Sequence, residues 1–70
     1  MKTDYEKFQA VGRVRQFATN ASQMFPIGNK VRIISEDRSI DIDVAKYVQK
    51  GLSVPQICKW LQFMREVLNG

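Results

Sequence analysis

The first third of the 70-residue chain has apolar side chains at three- and four-residue steps, the period of an amphipathic helix. This pattern predicts a long N-terminal helix from Thr3 to about Met24. Thr3 and Glu6 have the spacing of a capping box, in which each side chain accepts a hydrogen bond from a backbone N–H at the helix start. Pro26 cannot continue the helix. The apolar positions expected on one face are Val11, Val14, Ala18, Ala21 and Phe25.

The middle of the chain changes to the pattern of strands. Lys30–Ile34 is a short β-branched run, and Ser39–Asp43 alternates polar and apolar residues with the period of a half-exposed strand. A four-residue polar link joins them, so we expect a short β-hairpin. Because an isolated hairpin is unstable, it must pack on the helices or pair with a second chain.

The helical period returns at Val44, with Asp43 as a plausible N-cap and Gly51 as the natural end of a short helix. Ser53 then begins a second helix, which runs to about Leu68. The predicted fold class is therefore α+β and mainly α. It combines a long N-terminal helix, a short hairpin and two C-terminal helices in a single compact domain over residues 1–70.

Two arrangements of these elements are typical of DNA-binding proteins. From Lys30 to Leu68 the order of one strand and two helices resembles that of ribbon-helix-helix repressors, which implies a strand that pairs with a second chain. Asp43–Leu61 alternatively has the helix, turn and capped helix of a helix-turn-helix. In that case Val54, Pro55 and Gln56 would face the major groove, and they are poor residues for reading bases.

The chain offers little for catalysis. It has no histidine, the usual general base near neutral pH, and its four glycines are scattered. Asp41 and Asp43 alone are too few ligands to hold magnesium well. The single cysteine, Cys58, adjoins the apolar stripe of the last helix, so we interpret it as a core residue. We expect no enzyme activity, no metal, no cofactor and no small-molecule ligand.

The charges are segregated along the chain. The net charge is +4, no acidic residue lies between Lys7 and Glu36 or between Val44 and Arg65, and four of the seven acids fall between Glu36 and Asp43. Such segregation predicts a basic surface, which either attracts a polyanion such as DNA or only keeps the protein in solution. The candidate nucleic-acid-binding residues are Arg13, Arg15, Lys30, Arg32, Lys46 and Lys50.

The last helix is apolar over a wider arc than one packing face requires. Beside its main apolar stripe lies a second one formed by Trp60, Phe63 and Val67. Either this helix is central and covered on two sides, or the second stripe is a protein interface, because aromatic residues are preferred there. We expect an interface, through which the chain forms a homodimer.

These observations favour a small, non-enzymatic regulatory protein of phage or plasmid type, most simply a dimeric DNA-binding transcriptional regulator. The alternative is an inhibitor or adaptor that docks on a larger host machine, such as a transcription complex. The single cysteine and the opening Met1–Glu6, which lacks a secretory signal, predict the cytoplasm. No apolar run approaches the length of a membrane span, so we expect no contact with a membrane.

Overall fold

A computed structural model describes residues 3–70 of the chain, so Met1 and Lys2, on which part of the localisation argument rested, lie outside the described residues. The fold is α+β and mainly α, as predicted. Its elements in chain order are α1 (Asp4–Thr19), β1 (Met24–Ile27), β2 (Lys30–Ile34), β3 (Ser39–Asp43), α2 (Val44–Gln49) and α3 (Val54–Asn69).

The N-terminal helix begins as predicted but ends about five residues early. The capping box is present, with the Glu6 N–H donating to the Thr3 hydroxyl at 3.2 Å. The predicted end at Met24 is wrong, because α1 stops at Thr19 and Met24 starts a strand. Met24–Ile27 is apolar throughout, so the sequence alone does not distinguish the end of a helix from a strand, and pairing with β2 decides between them.

The sheet has three antiparallel strands in the order β1-β2-β3, so the predicted hairpin is confirmed and β1 is an addition to it. Gly28, with φ +60°, takes the first position of the two-residue turn between β1 and β2, where hairpins of this length favour glycine. Ile27 pairs with Lys30, and the Ile34 N–H donates to the Gln23 carbonyl. Hydrogen-bonded positions alternate along a strand, so the backbone nitrogen of Pro26 points away from β2 toward the outer edge of the sheet. Its missing N–H therefore costs no hydrogen bond.

The sheet topology rules out the pairing that the ribbon-helix-helix layout implied. β2 is the central strand, with β1 on one side and β3 on the other. Both of its edges are therefore occupied within one chain. The expectation that Lys30–Ile34 pairs with the strand of a second chain is wrong.

All three helices cover one face of the sheet. Met24, Val31, Ile33 and Ile42 point inward and are buried, whereas the alternate side chains of each strand face solvent. α1 packs on β1, and both α2 and α3 pack on β2. The buried core draws on all six elements: Ala10, Val14, Ala18, Met24, Val31, Ile33, Ile42, Val44, Val48, Ile57 and Leu61.

The predicted face of α1 is only partly correct. Val14 and Ala18 are buried as expected, while Val11 and Ala21 are half-buried. Phe25 is 51% exposed, which corrects its place on the buried stripe. As a strand residue between the inward Met24 and Pro26, it must point to the opposite face of the sheet.

The two C-terminal helices begin and end where the sequence predicted. The Asp43 carboxylate accepts from the Lys46 N–H at the start of α2. α2 ends at Gln49 and is followed by Lys50 and Gly51. The φ of +97° at Gly51 lets the N–H groups of Gly51 and Leu52 donate back to the Val48 and Tyr47 carbonyls. Ser53 and Gln56 form the capping box of α3.

Candidate functional site

The second apolar stripe of the last helix is exposed along most of its length. Trp60 is 37% exposed, Phe63 53% and Val67 51%, and we refer to these three residues as the α3 stripe. The buried face of α3 is formed instead by Ile57 and Leu61. The interpretation of this helix as a central element covered on two sides is therefore wrong. The role of the stripe as an interface stays a prediction.

The two aromatic rings of the α3 stripe stack on each other. Trp60 and Phe63 lie one turn apart on α3, and their ring centroids are 5.6 Å apart with 26° between the planes, a stacked arrangement. A pre-ordered aromatic pair loses little side-chain entropy when a partner covers it. It therefore has the properties of an interface anchor.

A groove lies beside this pair. Its volume is about 620 Å³. Trp60 and Phe63 of α3, Tyr47 and Leu52 from the end of α2 and the link to α3, and the polar Gln56 and Lys59 line it. The sequence pattern does not indicate that Tyr47 meets Trp60, because the angle between the two helices is set by the turn at Gly51.

The two arginines of α1 do not share a surface. Arg13 and Arg15 are exposed and flank the fully buried Val14. At 100° per residue they point roughly 200° apart, to opposite sides of the helix. Arg13 lines a hollow with Ser53 and Val54 at the start of α3, so it does not join the other candidate cations.

Arg32 on the outer sheet face is paired with an acid. Its Nε and Nη2 donate to the two carboxylate oxygens of Asp41 at 2.9 and 3.2 Å, across the β2–β3 ladder. The hydrogen bonds from Arg32 hold the pKa of Asp41 below its usual value, and those to Asp41 raise the pKa of Arg32. Because the pair is neutral as a unit, Arg32 adds little attraction for a phosphate.

Two of the candidate lysines come together in a hollow beside the β1–β2 turn and α2, and a third lies one helical turn away. Lys30 and Lys46 line one hollow with the amides of Asn29 and Gln49. Lys50 follows Lys46 by four residues, so it lies about one helical turn further on the same side. We call this group of three lysines and two amides the basic end. Asp43 also borders the hollow, where its carboxylate is held by the α2 backbone.

The open face of the sheet carries apolar side chains that the sequence analysis did not single out. Phe25, Ile27 and Ile34 are exposed there, beside the Arg32–Asp41 pair. Nothing in the apolar run Met24–Ile27 marks Phe25 and Ile27 as outward-facing. Their orientation follows from the pairing of β1 with β2, which is not a local signal.

Within residues 3–70, no group of three or more His, Cys, Asp or Glu side chains is arranged to hold a metal ion. In the same part of the chain, no helix has the length and apolar character needed to cross a membrane. No family model matches the chain, and comparison with curated proteins and with solved structures finds no significant similarity.

Proposed function

We propose that this protein is a small non-enzymatic transcriptional regulator of phage or plasmid type, which acts in the cytoplasm and binds DNA through its basic end. The observation that supports this best is the convergence of Lys30 and Lys46, from distant parts of the chain, on one hollow with two amide side chains. Exposed lysines attract phosphates as point charges, and amides donate hydrogen bonds to phosphate oxygens.

The composition of the basic end favours contacts with the DNA backbone over base reading. The lysines, spaced around a turn and a short helix, can neutralise two or three phosphates, and the amides can donate hydrogen bonds to phosphate oxygens. The surface contains no arginine, the residue that reads guanine by paired hydrogen bonds. Affinity should therefore depend strongly on salt and weakly on sequence.

The test is retardation of a duplex at about 50 mM and about 200 mM salt. Each lost phosphate contact makes the negative slope of log K against log salt shallower by about 0.9. Lys30→Ala with Lys46→Ala should therefore reduce the magnitude of the slope by roughly 2 units and weaken binding to all sequences alike.

The matched control is Arg13→Ala with Arg15→Ala, which also removes two positive charges, but from opposite sides of α1. In this control the magnitude of the salt slope should fall by at most half as much as in the lysine double variant. Equal losses in the two double variants would show that only net charge matters. Absence of retardation by the wild type at about 50 mM salt would end the DNA proposal.

The second candidate function, an inhibitor or adaptor for a larger machine, is favoured by the groove between Tyr47, Leu52 and Trp60. Apolar grooves walled by aromatic residues accept the side chains of a partner protein. This candidate predicts that the groove stays open in the purified protein. An environment-sensitive apolar dye should then bind it, and Phe63→Glu should abolish that binding.

A further inference from the structure

We infer that the α3 stripe is covered by a second copy of this chain, with the two α3 helices antiparallel about a two-fold axis through Phe63. This inference does not depend on DNA binding. It follows from the order of apolar and charged side chains along the exposed side of α3, which is complementary to itself when reversed.

The apolar residues match in this arrangement. The helix rises about 1.5 Å per residue, so Trp60 lies about 4.5 Å before Phe63 and Val67 about 6 Å after it. Reversal about Phe63 brings the second copy's Val67 to within about 1.5 Å, along the axis, of Trp60. Phe63 meets the Phe63 of the second copy. The second copy's Val67 is directed at the first copy's groove, which Tyr47 and Leu52 border.

The charges match in the same register. Lys59 and Glu66 are both exposed and seven residues apart, which places them on one side of the stripe and about two turns from each other. They are too far apart to pair within one helix, and the ion pair found among residues 3–70 is elsewhere, between Arg32 and Asp41. Reversal places Lys59 beside the second copy's Glu66, and the two-fold axis repeats that pair.

In a parallel two-fold arrangement, the flank of α3 that carries Lys59 and Glu66 would lie on opposite sides of the interface in the two copies, so these charges could not pair. The remaining cation of the helix does not disturb the scheme, because the Arg65 guanidinium donates to the Ser22 carbonyl of its own chain at 3.0 Å. A foreign partner would not require the order of charges on α3 to be complementary to itself. The charge order therefore favours a second copy over an unrelated protein.

The interface is small, since one helix and the neighbouring link contribute to it, and we expect a dissociation constant in the micromolar range. Sedimentation of the wild type should show a monomer–dimer equilibrium across that range. Phe63→Glu should give monomers of unchanged helicity. Phe63 is the better position than Trp60 for this test, since more of it is exposed in the single chain. Phe8→Glu is the matched control, an exposed aromatic on α1 that should leave the dimer intact.

Charge reversal tests the orientation. Lys59→Glu alone, or Glu66→Lys alone, replaces two attractive contacts with two repulsive ones and should weaken the dimer by about tenfold. The double variant, Lys59→Glu with Glu66→Lys, should restore the wild-type dissociation constant. If it does not, the antiparallel register is wrong. A wild type that remains monomeric at about 1 mM overturns the inference and leaves the groove to a different protein.

Discussion

At the scale of single residues, the environment of a side chain decides its chemistry more than its type does. Arg32 and Lys30 lie on the same face of β2, two positions apart. Arg32 is bound by the carboxylate of Asp41 across the ladder. The carboxylate opposite Lys30, that of Asp43, accepts from the α2 backbone instead, and Lys30 lines a hollow with a second lysine. Both were candidates for DNA binding from the segregation of charge. Only their neighbours in the sheet and on α2 distinguish them.

Cys58 provides a test at this scale. The residue is half-buried against the core, as the sequence indicated, and burial raises the pKa of its thiol. The thiolate, which is the reactive form, is therefore disfavoured in the folded protein. We expect a thiol reagent to label native protein more slowly than denatured protein at the same pH. Rapid labelling of the native state would contradict this.

The raised pKa of Cys58 also makes the free energy of unfolding depend on pH. Below the ordinary pKa of a cysteine thiol, both states hold the neutral form and the group has no effect. Above it, the unfolded state loses the proton first, so stability falls as the pH rises toward the raised pKa of the folded state. Cys58→Ser should lower stability by about 1–2 kcal/mol at neutral pH and remove this dependence. Urea denaturation of both proteins across the alkaline range measures both effects.

At the scale of elements, caps and turns decided where the helices begin and end, and these are local devices that a sequence displays. Thr3 with Glu6, Asp43, Gly51, and Ser53 with Gln56 all act where the sequence placed them. The end of α1 was missed because its signal is not local. β1 exists through its hydrogen bonds to β2, and the four residues of Met24–Ile27 carry no strand pattern strong enough to be recognised alone.

Two glycines give opposite predictions at this scale. Gly12 lies in the middle of α1, and a Cβ there would meet no atom within 4 Å, so Gly12→Ala should stabilise the protein by about 1 kcal/mol. Gly51 has a φ of +97°, which an L side chain rarely adopts, so Gly51→Ala should destabilise it by about 1–2 kcal/mol although the space is open.

Thermal unfolding checks this pair. For a domain of this size, 1 kcal/mol corresponds to a change of about 4–8 °C in the midpoint. The two variants should therefore shift the Tm in opposite directions. A stabilising Gly51→Ala would mean that the left-handed turn after α2 is not required.

At the scale of the whole molecule, the core joins helices to sheet through long-range contacts. Ile57 and Leu61 of α3 are fully buried in the same cluster as Val31 and Ile33 of the central strand. A domain of this size buries only roughly 60% of the surface of its unfolded chain, so we expect no element to stay folded without the others. The elements should therefore unfold together.

Denaturation followed by two probes tests this expectation. Circular dichroism reports mainly on the helices, and the fluorescence of the single tryptophan, Trp60, reports on the surface of α3. Both should give one transition with the same midpoint at a fixed protein concentration. A fluorescence change that precedes the loss of helicity would show that the α3 surface is released before the core.

The sequence by itself determined the class of fold, the caps, the β2–β3 hairpin and the residues of the α3 stripe, because periodicity, capping and turn chemistry act over a few neighbouring residues. The tertiary structure decided which strand is central, that β1 closes the second edge of β2, and which lysines meet. It also showed that α3 keeps one apolar side uncovered. These features depend on the angles at which elements pack on each other, and those angles are fixed by contacts between residues far apart in the chain.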